Sequence, residues 1–289
     1  MIVMEGQMDT YATVETQTVT AANGIRYAYR SVGSDDQALP LVLLQHFRGN
    51  LDNWDPALVD MLAQRRRVIA FDSVGVGATD GRTPNTMAGM ADDAIEFIDA
   101  LGMERVDLLG FSIGSFVAQE MALHRPDVVN RIVLASAAPR GAAGMHGWRT
   151  DIIEGVGARE ATAEGYLHAF FCDTPEGLDA GQALLGRIYG ERTVGRDVPT
   201  SWQTRQAQYD AVTEWGIPNH AMLERLQGIK QSVFVANGDS DPMIPPRYSY
   251  LLAGLLPDAR LKIYADAAHG FLFQYHDEFA DDVDTFLRI

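Results

Sequence analysis

The sequence predicts an α/β fold: a mostly parallel eight-stranded sheet flanked by helices and carrying a helical cap insertion. Three observations predict it. Short β-rich runs recur along the chain with helical patterns between most of them, the alternation that builds a helix-covered parallel sheet. From Leu41 onward these runs are almost continuously apolar, as strands buried on both faces must be. Residues 139–228 then break the rhythm with helical pieces and no comparable run.

The chain enters through two alternating runs, Val14–Thr20 and Ile25–Ser31, joined at Asn23-Gly24, a strong hairpin-turn signal. Buried strands are expected at Leu41–His46, Arg67–Asp72, Val106–Phe111, Ile132–Ser136, Val233–Asn237 and Leu261–Ala265. Helices are expected between them at Pro56–Gln64, Thr86–Leu101, Ile113–His124, Pro246–Leu256 and His276–Leu287. In the second, Met87, Met90, Ala94, Phe97 and Leu101 share one face. One core domain is therefore expected over residues 1–138 and 229–289, interrupted by a cap at 139–228. Within the cap, helical pieces fall at Gly165–Cys172 and Leu178–Tyr189, with a polar passage at Arg192–Pro199.

Of 289 residues 47% are hydrophobic, enough for a sizeable core. The 39 acidic residues outnumber 23 Lys and Arg, for a net charge of −16. That excess argues against nucleic acid, whose phosphates need basic faces, and against an anionic membrane surface. The single cysteine, Cys172, excludes an intrachain disulfide and a multi-cysteine zinc site, and reads as a small buried hydrophobe. The first residues lack the basic and apolar stretches of a signal peptide, and no run of about 18 apolar residues occurs. A cytoplasmic protein acting on a small molecule is the expectation, with monomer and dimer equally open.

The sharpest local feature is Gly110-Phe111-Ser112-Ile113-Gly114, which closes an apolar strand and opens a helix. That is the setting of a nucleophile elbow, where flanking glycines allow a tight turn that presents a serine. With 27 glycines in 289 residues, chance alone supplies such a motif roughly 0.09 times. Serine needs a base, and the base needs an orienting acid. The strand ending at Asn237 is followed by Gly238-Asp239-Ser240-Asp241-Pro242, and the one ending at Ala265 by Asp266-Ala267-Ala268-His269-Gly270. Both lie at carboxyl ends of strands, where parallel sheets place ligands. Of seven histidines only His269 combines that position with the order nucleophile, acid, base; His124 and His276 fall on helices, and His146, His168 and His220 in the cap. Asp241 is preferred as the acid, since Pro242 holds its backbone extended, while Asp239 suits a turn-capping role.

These residues together resemble the α/β-hydrolase superfamily, over about residues 14–139 and 226–289. Its acid ends a Gly-x-x-Asp, here Gly238 to Asp241, and its histidine precedes a glycine, here Gly270. An Asp-x-x-Gly-x-Gly-x-Ser segment corresponds to Asp72 through Thr79, with threonine in the last place. The resemblance implies an oxyanion hole built from the Ile113 amide and a second amide after an early strand. Here that loop reads His46-Phe47-Arg48-Gly49, leaving Phe47 and Arg48 both open as donor. Gly49 is expected to supply flexibility, and His46 to anchor the loop. Arg48 either orients a carboxylate-bearing substrate or, the favoured expectation, pairs with Asp52 or Asp55.

Trp148, Tyr166, Phe170, Phe171 and Trp202, with Phe271 beside the histidine, either line an apolar pocket or form cores of their own. No metal-ligand spacing appears, and the resemblance implies no cofactor. The expected activity is hydrolysis of a carboxylic ester or lactone by Ser112, His269 and Asp241, on a neutral and largely apolar substrate. The same residues serve cofactor-free haloperoxidases (perhydrolases) and carbon–carbon bond hydrolases, and a slow-turnover small-molecule receptor is the alternative of another class.

Overall fold

The computed structural model describes residues 10–34, 38–145 and 147–288. Its eight strands form one sheet in the order β1-β2-β4-β3-β5-β6-β7-β8. They are β1 Gln17–Thr20, β2 Arg26–Val32, β3 Leu41–Leu44, β4 Val68–Phe71, β5 Val106–Phe111, β6 Val129–Ala135, β7 Ser232–Gly238 and β8 Ala259–Tyr264. The β1–β2 and β2–β4 pairs are antiparallel and the rest parallel. Central β3, β4 and β5 are buried at every residue, which is why they read as unbroken apolar runs.

The first strand begins later than expected. Residues 10–14 instead form a turn, with the Val14 amide bonded to the Thr10 carbonyl. The turn lets Tyr11 bury its ring and donate its hydroxyl to the Leu51 carbonyl at 2.7 Å.

Helices α1 Pro56–Ala63, α2 Met87–Ala100 and α3 Ile113–His124 alternate with the early strands. Between β6 and β7 the chain holds no strand among the described residues, only α4 Thr150–Glu154, α5 Ala163–Phe170, α6 Pro175–Gly190, α7 Trp202–Trp215 and α8 His220–Glu224. The chain then completes the layers with α9 Arg247–Leu255, α10 Phe271–Gln274 and α11 His276–Leu287. No helix of the described residues is long and apolar enough to cross a membrane.

Helix α7 has no counterpart in the sequence reading. Its inward face starts with Thr204, Arg205 and Gln208 and turns apolar only at Ala211, Val212 and Trp215. A search for apolar periodicity passes over such a helix, because hydrogen bonds rather than apolar contacts hold its first half.

Candidate active site

Ser112 stands at the β5–α3 junction with φ +56° and ψ −120°, a backbone that few non-glycine residues adopt. The neighbouring backbone enforces it. A Cβ on Gly114 would lie 2.1 Å from the Leu44 carbonyl oxygen, and one on Gly110 would lie 2.4 Å from that of Gly114. Only glycine lets α3 start this close to β3, and the strained serine between them is the result.

His269 follows β8, and Asp241 sits in the turn after β7, so the parallel pair β7–β8 brings both loops to one end of the sheet. The Ser112 hydroxyl lies 2.9 Å from His269 Nε2, and His269 Nδ1 lies 2.7 Å from Asp241 Oδ2. A carboxylate can only accept here, so Nδ1 carries the proton and Nε2 accepts from the hydroxyl. The second Asp241 oxygen accepts the amides of Met243 and Ile244 at 2.8 and 2.9 Å, which fixes the carboxylate. Asp239 instead takes the amides of Asp266 and Ala267 and stays out of the line. Serine, histidine and aspartate are all buried.

The loop after β3 supplies the facing wall. The Arg48 amide is already engaged, donating to Gln208 Oε1 of α7 at 2.8 Å, while the Arg48 carbonyl accepts from the Thr200 hydroxyl. Of the two amides left open by the sequence, Phe47's is therefore the uncommitted one, and the Ile113 amide likewise has no partner among the described residues. Two expectations need correction. The unusual backbone lies at Arg48, φ +63°, and not at Gly49; Gly49 is needed for space, since its Cβ would meet the Gln45 side chain at 2.5 Å. Arg48 also forms no ion pair among the described residues. Asp52 belongs to Arg30 and Asp55 to Arg187, while Arg48 Nη1 donates to the carbonyls of Val156 and Ala158 at 3.3 and 2.6 Å.

His46 donates Nδ1–H to the Phe47 carbonyl at 2.9 Å and packs edge-on against Phe111 and Phe170. Burial disfavours its charged form and holds its pKa down to about 4. A buried, neutral imidazole thus braces the loop.

A cavity of about 580 Å³ opens onto Ser112 and His269, walled on one side by the helical segment between β6 and β7. Tyr166 and Phe170, stacked with ring centres 3.9 Å apart, form part of its wall. The other aromatics lie elsewhere. Trp148 packs behind Phe47 and Tyr209, Phe171 is buried inside the insertion, and Trp202 lies over Arg159 and Arg205. Phe271, next but one to His269, turns into the core against Tyr264 and Phe279. Cys172 is only half-buried. No group of three His, Cys, Asp or Glu among the described residues is arranged to hold a metal ion.

Sequence reasoning missed the insertion's share of this site: Gln208 and Thr200, which hold Arg48, and the 192–200 passage, whose Arg196, Asp197, Pro199 and Thr200 line the cavity. Their only signal was an unusually polar stretch.

Comparison with known proteins adds four findings. A family described as having the alpha/beta hydrolase fold matches residues 40–274. An alpha/beta hydrolase fold protein from Chitinophaga pinensis is 41% identical, with a TM-score of 0.89 over 96% of this chain and 99% of that one. The serine hydrolase BPHL of Mus musculus is 23% identical over 96% of this chain and 89% of its own length. An enol-lactonase from Burkholderia xenovorans, 22% identical over 94% of this chain and all of its own, shares the fold at a TM-score of 0.77.

Proposed function

The chain belongs to the α/β-hydrolase family and is a hydrolase, and on that premise we propose that it cleaves a carboxylic ester or lactone of a small molecule through an acyl-enzyme on Ser112. The observation that carries this reading is the unbroken line Ser112 Oγ–His269–Asp241 at 2.9 and 2.7 Å beneath a cavity.

Ser112 Oγ attacks the carbonyl carbon as its proton passes to His269 Nε2. Asp241 holds the ring in the tautomer that can accept and stabilises the imidazolium that results. The amides of Ile113 and Phe47 receive the oxyanion, each such donor being worth about 3 kcal/mol in comparable sites. The intermediate collapses, the carbon–oxygen bond to the leaving group breaks, and His269 gives that oxygen its proton. Water then repeats the sequence: it loses a proton to His269, attacks the acyl carbon and releases the acid, and Ser112 regains its hydrogen. Every step uses a hydroxyl, a proton or water, so this reading needs no cofactor.

The test is a panel of p-nitrophenyl esters and lactones of graded chain length, run on wild type and Ser112→Ala. Wild type should turn over at least one member with kcat reduced about 10⁴-fold or more in the variant. Undiminished hydrolysis by Ser112→Ala would show the reading to be wrong.

A further inference from the structure

In a chain of net charge −16, the wall of the cavity beside the oxyanion loop is cationic. Arg48 and Arg159 line the cavity, and Arg205 stands directly behind them. Arg159 and Arg205 face the same Trp202 ring at 5.9 and 4.8 Å, and Arg205 also lies 5.8 Å from the centre of the Phe47 ring. None of the three has a carboxylate within 4.0 Å among the described residues. Arg48 spends its donors on main-chain carbonyls, Arg205 bonds the Gly157 carbonyl and Gln206, and the Arg159 side chain has no hydrogen bond among the described residues. Burial and the charge of Arg205 both work against protonation of Arg48. Glu160, Asp52 and Asp197 also line the cavity, and among the described residues neither Glu160 nor Asp210, which accepts from Gln206, pairs with a guanidinium.

The opposite wall carries both signs, with Asp52 and Asp197 beside Arg196. Asp52 is shared by Arg30 at 2.7 Å, Arg196 at 3.7 Å and Arg192 at 3.9 Å, three cations on one carboxylate. Like charges gathered in a partly desolvated cleft repel one another and focus the field on whatever enters. An anion relieves that repulsion, and a planar guanidinium matches a carboxylate with two parallel N–H donors.

We infer that the Arg48–Arg159 wall binds a carboxylate of the substrate, so that the ester or lactone this enzyme prefers is anionic. The inference rests on the hydrolase reading above and replaces the neutral substrate that the net charge alone suggests. The overall charge governs distant approach; the wall governs what is held.

Two esters of matched length test it: 4-nitrophenyl hydrogen glutarate, which carries a carboxylate, and 4-nitrophenyl pentanoate, which does not. At low salt, kcat/KM for the anionic ester should exceed that for the neutral one about tenfold, and the ratio should shrink toward 0.5 M salt as charges are screened. The exposed Arg159 can be changed without disturbing the core. Arg159→Gln should cut the anionic-to-neutral ratio about tenfold, chiefly through KM, and Arg159→Lys should restore part of it. A ratio near one in wild type, or one indifferent to Arg159→Gln, overturns the inference and leaves Ser112-dependent hydrolysis standing. Should neither ester be hydrolysed, the activity reading fails, and calorimetry with glutarate decides the wall separately. Arg159-dependent binding supports it, and absence of binding overturns it.

Discussion

The Arg48 amide donates to the Gln208 side chain at 2.8 Å, so the loop after β3 takes its shape from helix α7. Gln208 is a positioning residue: it holds Arg48 and thereby aims the adjacent Phe47 amide. Gln208→Ala should lower kcat about tenfold with a smaller change in KM and cost about 1 kcal/mol of stability. Gln208→Glu keeps an acceptor and should recover most of the rate. Steady-state kinetics and urea unfolding of the two variants separate aiming from mere stability.

Ser112 is held at φ +56° by the close approach of the backbone around Gly110 and Gly114. Ser112→Gly removes the nucleophile and the strain together, and the relief exceeds the entropy that glycine adds to the unfolded chain. Activity should vanish while stability holds or rises by up to about 1 kcal/mol. A variant that is both inactive and less stable than wild type would contradict this account of the elbow.

His46 is buried neutral, its pKa pulled to about 4 by desolvation, while an exposed histidine titrates near 6.5. A histidine depressed in the fold contributes stability that is complete above about 6.5 and is lost as pH falls through about 4. The whole effect is about 3 kcal/mol. Unfolding free energy measured from pH 7 to pH 4 should therefore fall more steeply in wild type than in His46→Asn.

Asp72 and Asp197 crowd together over Gly77, where a Cβ would lie 2.3 Å from one carboxyl oxygen and 2.5 Å from the other. Burial first, and then the neighbouring Asp197, push the Asp72 pKa well above the ordinary carboxylate range. An acid raised in the fold contributes stability that is full below about 4 and lost as pH rises through the raised value. Asp72→Asn mimics the protonated form, offering a donor to Asp197 while still accepting the Leu51 amide, and gives up only the long 3.3 Å bond from the Ala78 amide. It should be the more stable protein at pH 8 by about 1 kcal/mol or more, with no advantage left at pH 4. Thermal melts at the two pH values suffice.

What could be read from the sequence was what is local. The strand–turn–helix around Ser112 and the loops bearing Asp241 and His269 each carry their glycines and their order within a few residues. What could not be read depends on facing. Phe271 is two residues from His269, yet the α10 turn sends its ring to the other side, into the core. Gln208 is far from Arg48 in sequence, and the polar face that delivers it imitates solvent exposure. The choice between the Phe47 and Arg48 amides was open for the same reason.

Helix α7 is docked by two unlike halves. Toward the cavity, Thr204 bonds the Gly75 carbonyl, Arg205 that of Gly157, and Gln208 the Arg48 amide. At the far end Trp215 stacks on Phe116 with ring centres 5.0 Å apart and donates to the Ala138 carbonyl. Exposing apolar area raises heat capacity on opening, and exposing polar area lowers it. Release of the Thr204–Gln208 end alone would then show a smaller heat-capacity change than release of the Trp215 end. Temperature thus distinguishes the two openings, and the Thr204–Gln208 end is the one whose opening enthalpy changes less on warming.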